Sequence, residues 1–229
     1  HLADFLEELC KLDFHWIRLH YLYPEWIDDR LIDVIAREDK ILKYLDIPLQ
    51  HRNDKILKKM NRRGDKKYLC ALLDKLRERI PGLVLRTSII AGLPGEGEEE
   101  FDELCDFLRE QKLLRAGVFP YSPEEGTRAA KMERVDSDEA ARRAERIVDI
   151  QSEIIDAWND ERQGDVLEVL CEGFDGQSML FVGRSYAESP DIDGRIYFSA
   201  PRDVAAGEFV PVRITGAMDG ELTGELAEE

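Results

Sequence analysis

Cysteine is scarce in this chain: four residues of 229, at positions 10, 70, 105 and 171, with no two close in sequence. Zinc and iron-sulfur motifs need ligands a few residues apart, so these residues contain no such motif. A secreted disulfide framework is not expected either. Cys10, Cys70 and Cys105 fall among apolar residues of a helical pattern and Cys171 follows the run VLEVL, which makes all four candidates for buried free thiols. Long apolar runs are also missing, as is a basic stretch followed by an apolar one near the start. Neither a membrane helix nor a signal peptide is therefore expected, and the location expected is cytoplasmic. The chain opens on His1-Leu2-Ala3 with no initiator Met and runs straight into an amphipathic helix, as a piece of a longer protein would.

Positive charge is in deficit. The net charge is −17, and its distribution is uneven: residues 165–229 hold 14 acidic and 4 basic side chains, whereas residues 1–164 hold 35 and 28. The smaller segment is thus the more acidic one. Such a surface repels a phosphate backbone and favours a basic partner, or else serves only solubility.

What is present is an alternation of helix and strand over roughly the first 160 residues. Helical patterns lie at 3–11, 28–37, 54–61, 66–79, 98–111 and 137–161, with apolar runs at 16–21, 44–47, 84–91 and 114–121 between them. That spacing predicts a parallel sheet with crossover helices, whose ligands sit beyond the carboxyl ends of the strands. After Gln163-Gly164 the pattern becomes five short strands separated by glycine turns, which predicts a small antiparallel barrel of the oligomer-binding sort. The expected division is 1–162, including a connector helix, and 163–229.

The segment RTSIIAGLPGEGEEEF, Arg86 to Phe101, reads as a buried strand delivering a glycine-rich loop to an acidic helix. Glu96, Glu98, Glu99 and Glu100 occupy the positive end of that helix dipole and would repel a phosphate. The loop therefore suits a neutral or cationic ligand, or is simply a tight strand-to-helix turn.

Taken in order, YLDIPLQH at 44–51, LKKMNR at 57–62, LRTSIIAGLPGE at 85–96, GVFPYSPEEGT at 117–127 and SPDIDG at 189–194 resemble the radical-SAM methylthiotransferases. The likeness is greatest to the branch that modifies an aspartate of a small-subunit ribosomal protein. It runs over essentially the whole chain and implies about four of the six strands of a partial (β/α) barrel, followed by a TRAM barrel. The sister branch, which modifies an adenosine in tRNA, differs at His51 and at Glu124 or Glu125. Family members also carry an N-terminal cluster-binding domain and a CxxxCxxC loop, neither of which lies in these residues. The resemblance thus implies S-adenosylmethionine and two 4Fe-4S clusters in the full-length protein, with no cluster ligand and no catalytic residue in this chain, which should be inactive alone.

The family reaction, as implied by the resemblance, cleaves S-adenosylmethionine to a 5′-deoxyadenosyl radical that removes a hydrogen from the substrate carbon, after which a methylthio group is installed. Positioning roles follow. Gln50 is a candidate for the ribose or methionine part of the cofactor, or else a strand-end cap. Arg62 and Arg86 are candidates for its carboxylate. Gly92 to Gly95 would let backbone approach the adenine, with Val118, Phe119 and Tyr121 as a stacking wall or as core. His20 and His51 could hydrogen-bond a substrate carboxylate, and Glu124 and Glu125 could steer a basic ribosomal protein. Direct nucleic-acid binding is not expected of so acidic a barrel. The other readings are the tRNA-modifying sister enzyme and a non-catalytic module that binds basic proteins.

Overall fold

The computed structural model describes residues 1–227. The chain divides into two compact units, His1–Gln151 and Ser152–Glu229. In the first, α1 (Leu2–Cys10) precedes β1 (Ile17–Leu19), α2 (Asp29–Arg37), β2 (Ile41–Asp46), α3 (Asp54–Lys59), α4 (Lys66–Arg79), β3 (Val84–Ala91), α5 (Glu98–Gln111) and β4 (Arg115–Pro120). The helix α6 (Ser137–Glu161) begins in this unit. The strands lie in the order β1-β2-β3-β4 and every neighbouring pair is parallel. Sequential order means that the chain winds in one direction, as in a barrel wall, instead of reversing at a switch point.

Local chemistry sets the helix starts. Asp28, Asn53 and Asp65 each accept a hydrogen bond from a backbone N–H in the first turn of α2, α3 and α4. Helix α5 starts at Gly97, whose N–H donates to the Glu100 carboxylate at 2.9 Å. Its buried face is Phe101, Leu104, Cys105, Phe107 and Leu108, a helical repeat. Strand β2 begins at Ile41, three residues before the apolar run legible in the sequence, because Lys43 interrupts that run. Its ammonium is accommodated by donating to the carbonyls of Ala36 at 3.3 Å and Glu38 at 3.0 Å, at the end of α2.

The second unit is a closed barrel of β5 (Val166–Asp175), β6 (Leu180–Arg184), β7 (Ile196–Ser199), β8 (Phe209–Met218) and β9 (Glu221–Leu226), in the order β5-β6-β7-β9-β8. It is mixed, not wholly antiparallel as expected: β7 and β9 pair in parallel. The reason is arithmetic, since strand directions cannot alternate all the way round a ring with an odd number of members. Val169, Cys171, Ile196, Phe198, Val210, Val212, Ile214 and Leu222 fill the interior, with Trp158 of α6 packed against them. At Gly183 a side chain would run into the Leu170 carbonyl and Val169. Gly183→Val is therefore expected to destabilise the barrel by about 1–3 kcal/mol, read as a lowered urea midpoint.

Candidate functional site

Because all four strands of the first sheet point the same way, their carboxyl ends share one edge. The loops that leave this edge remain stitched to it. Leu22 N donates to Asp46 O at 2.8 Å, Gln50 N to Ser88 O at 2.7 Å, Ile90 N to Gln50 O at 2.9 Å and Tyr121 N to Ala91 O at 2.8 Å. Gln50 holds a left-handed φ of +66°. For a non-glycine residue that conformation costs on the order of 1 kcal/mol, and the two backbone bonds to β3 keep it in place. His20, Gln50, Gly92 and Tyr121 thus stand at successive strand ends.

Side chains alternate between two faces of the sheet. On β3, Leu85, Thr87, Ile89 and Ala91 are buried, while Ser88 and Ile90 on the opposite face are half-buried. That second face also carries Arg86, whose Nη1 donates to Asp46 Oδ1 at 3.0 Å directly across the register. Both are buried, at 8% and 1% exposure. His20 Nδ1 lies 3.7 Å from the other Asp46 oxygen, and its ring meets Tyr44 edge-on at 6.0 Å. Opposite Ser88 on β4 is Gly117, where a Cβ would lie 3.4 Å from Arg86 Nη2 and 3.2 Å from the Phe119 ring. The space a Cβ would take at Gly117 is thus held by the Arg86 guanidinium and the Phe119 ring, and that ring is 53% exposed.

The glycine-rich loop is held by a buried carboxylate. Glu96 Oε1 accepts from Gly92 N at 2.9 Å and from Arg143 Nη1 at 2.8 Å, while Oε2 lies 3.2 Å from His51 Nε2. His51 is fully buried, and its Nδ1 accepts from Asn53 N at 3.0 Å, which leaves the proton on the nitrogen facing Glu96. Gly92 has a φ of +80°, and a side chain there would run into Ala140 of α6. Close approach of backbone at Gly92 is therefore used for helix packing. Gly95, φ +84°, is covered by the Lys59 side chain. Glu96 does not sit on the helix dipole with Glu98 and Glu99, which remain exposed.

The Arg62 guanidinium rests over the Tyr23 ring at 5.2 Å. Glu124 and Glu125 are exposed, on a turn in which Thr127 Oγ1 donates to Glu124 O at 2.7 Å. Asp46 and Arg143 were not singled out in the sequence, and Glu96 was read there only as a helix-dipole charge. Arg143 offered a signal, since it falls on the apolar phase of α6 with Ala140, Ala144, Ile147 and Ile150. Among the described residues no group of His, Cys, Asp or Glu is arranged to hold a metal ion, and no helix is long and apolar enough to cross a membrane.

Burial alone would push the Glu96 carboxyl up, but the hydrogen bonds from His51, Arg143 and Gly92 N–H outweigh it and hold the group below its ordinary 4.5. A carboxyl with a depressed folded-state value stabilises the fold above its unfolded value, and that contribution disappears as the pH falls through the folded value. Urea midpoints are therefore expected to be level above about pH 5 and to decline in more acid solution, with a shallower decline in Glu96→Gln.

Residues 1–108 match the radical SAM superfamily and residues 164–227 match the TRAM domain. The chain is 46% identical over 99% of its length to ribosomal protein uS12 methylthiotransferase RimO of Symbiobacterium thermophilum, of which it covers 48%. It is 43% identical over its whole length to the protein of the same name from Acetivibrio thermocellus, of which it covers 51%. It thus spans about half the length of the curated relatives it matches. Among solved structures, coproporphyrinogen III oxidase (HemN) from Escherichia coli, a radical SAM enzyme, aligns with 67% of this chain and 36% of its own at a TM-score of 0.55 and 20% identity, which shows a shared fold. With a radical SAM sheet in its first unit, a TRAM barrel in its second and these relatives along its whole length, the chain belongs to the radical-SAM methylthiotransferase family.

Proposed function

We propose that this chain is the cofactor-positioning and substrate-facing part of an enzyme that methylthiolates the β-carbon of an aspartate in a basic small-subunit ribosomal protein. The observation that carries the reading is the shared edge of β1 to β4, where His20, Gln50, Gly92 and Tyr121 follow four parallel strands. The residues present fit S-adenosylmethionine. The Tyr121 hydroxyl is buried with no hydrogen-bond partner among the described residues, and the Phe119 ring is 53% exposed on the sheet face that carries Arg86, where a planar group can stack on it. The bound cofactor supplies radical hydrogen abstraction.

The chain's own residues orient and shield. Gln50, fixed by its backbone bonds to β3, presents its amide to the ribose or methionine part. Arg86 places a guanidinium against the carboxylate end while Asp46 neutralises it and holds its plane. The Phe119 and Tyr121 rings enclose the adenine and exclude water, at the edge that the Gly92–Gly95 loop borders. His20, held against Asp46, hydrogen-bonds the substrate carboxylate. His51 acts by holding Glu96 and so the loop, and Glu124 and Glu125 attract the basic substrate from solvent. The clusters do not fit the residues here, so their ligands belong to the remainder of the protein and the chain alone turns nothing over.

The test is mass spectrometry of small-subunit ribosomal proteins and tRNA after incubation with the whole protein, S-adenosylmethionine and a reductant. A methylthio group gained on an aspartate supports the reading. A methylthio group gained on a tRNA adenosine, with none on protein, overturns it.

A further inference from the structure

The segment between β1 and α2 places three large aromatic side chains in solvent: Tyr21 is 67% exposed, Tyr23 46% and Trp26 73%. Exposed aromatics on a floppy loop would mean little, but this loop is fixed. Leu22 and Pro24 are buried between the exposed rings and Ile27 just after them. Leu22 N donates to Asp46 O at 2.8 Å, Tyr68 Oη donates to Pro24 O at 2.9 Å, and Trp26 N donates to Tyr23 O at 3.0 Å. Tyr21 is held at a φ of +57°, a conformation an aromatic residue rarely adopts and which persists only where the surroundings enforce it. The rings are thus presented without the ordering cost that usually offsets binding at a loop.

The charges beside the rings define the ligand. Glu25 stands exposed between Tyr23 and Trp26, and Asp28, which caps α2 through Leu31 N, follows two positions after Trp26. The Tyr23 face already receives a guanidinium, that of Arg62, at 5.2 Å from the ring centroid. Aromatic faces interleaved with carboxylates attract arginine and lysine and repel phosphate. The loop also leaves the same strand end as His20.

We propose that Tyr21, Tyr23, Glu25 and Trp26 form a rigid docking surface for the arginine and lysine side chains of a basic polypeptide, next to the strand-end site. This rests on the reading that the substrate is a basic protein, and gives that substrate a point of attachment on this chain. The test is titration of the full chain with a short Arg- and Lys-rich peptide, followed by isothermal calorimetry at low salt, in parallel with a neutral peptide and an adenine-rich RNA oligonucleotide. Trp26→Ala and Tyr21→Ala are each expected to weaken peptide binding by about tenfold, and Trp26→Phe to restore most of it. Because these side chains are exposed, far-UV circular dichroism and melting temperatures should be unchanged. Equal peptide affinity in both alanine variants overturns the proposal. So does RNA binding that the variants lose in preference to peptide, or a concentration-dependent dimer that Trp26→Ala dissolves. The two readings fail separately. If the whole enzyme modifies its ribosomal protein with unchanged KM in Trp26→Ala, the docking surface is wrong and the function stands; if peptide affinity falls as expected while no aspartate is modified, the reverse holds.

Discussion

Glu96→Ala is expected to be among the most damaging single substitutions in the first unit, with a loss of about 3–5 kcal/mol. The carboxylate is enclosed by Gly92 N–H, Arg143 and His51. Its removal leaves the Arg143 guanidinium, 9% exposed, with only the surface carboxylate of Glu139 at 2.9 Å as counter-charge, and leaves the Gly92 N–H without that acceptor. Glu96→Gln keeps the shape and one acceptor oxygen, and should lose less. Urea unfolding of the three proteins gives the order wild type, Gln, Ala. If Ala and wild type unfold at the same midpoint, Glu96 does not hold the loop. The functional consequence is separate: once the loop from Gly92 to Gly97 is released, binding of S-adenosylmethionine should weaken even where the fold survives at low temperature.

The second large effect is at the Asp46–Arg86 pair. Asp46→Ala removes the buried carboxylate to which Arg86 Nη1 donates and is expected to cost about 3–5 kcal/mol. Replacing both partners, Asp46→Leu with Arg86→Met, removes two buried charges together, and by the same reasoning stability should return to within about 1 kcal/mol of wild type. Cofactor affinity should not return, because the group assigned to the carboxylate is gone. A double variant that is stable and binds S-adenosylmethionine normally would reduce the pair to a structural one. Chemical denaturation and equilibrium binding on the same samples separate these outcomes.

The ends of β2 and β3 were legible because each is marked twice, by the close of a β-branched or apolar run and by a proline or glycine just beyond it, at Ile47-Pro48 and Ala91-Gly92. Parallel pairing then placed those ends together without further information. The start of β2 was hidden because Lys43 looks like a solvent residue until the carbonyls at the end of α2 are in view. The barrel's parallel pair was hidden for another reason, since strand direction is set by ring closure and not by any residue. Glu96 was misread because its neighbours Glu98, Glu99 and Glu100 make it look like one more dipole charge, while its partner Arg143 lies 47 residues away. Gly92 was read as a place where backbone approaches the adenine, and the group packed against it is Ala140.

The most direct test of the account is photo-crosslinking of the full chain with a photoreactive analogue of S-adenosylmethionine, followed by peptide mapping. Labelling is expected within residues 88–96 and 117–121, and excess S-adenosylmethionine should suppress it. Label confined to residues 164–227, or none that competes away, would contradict it.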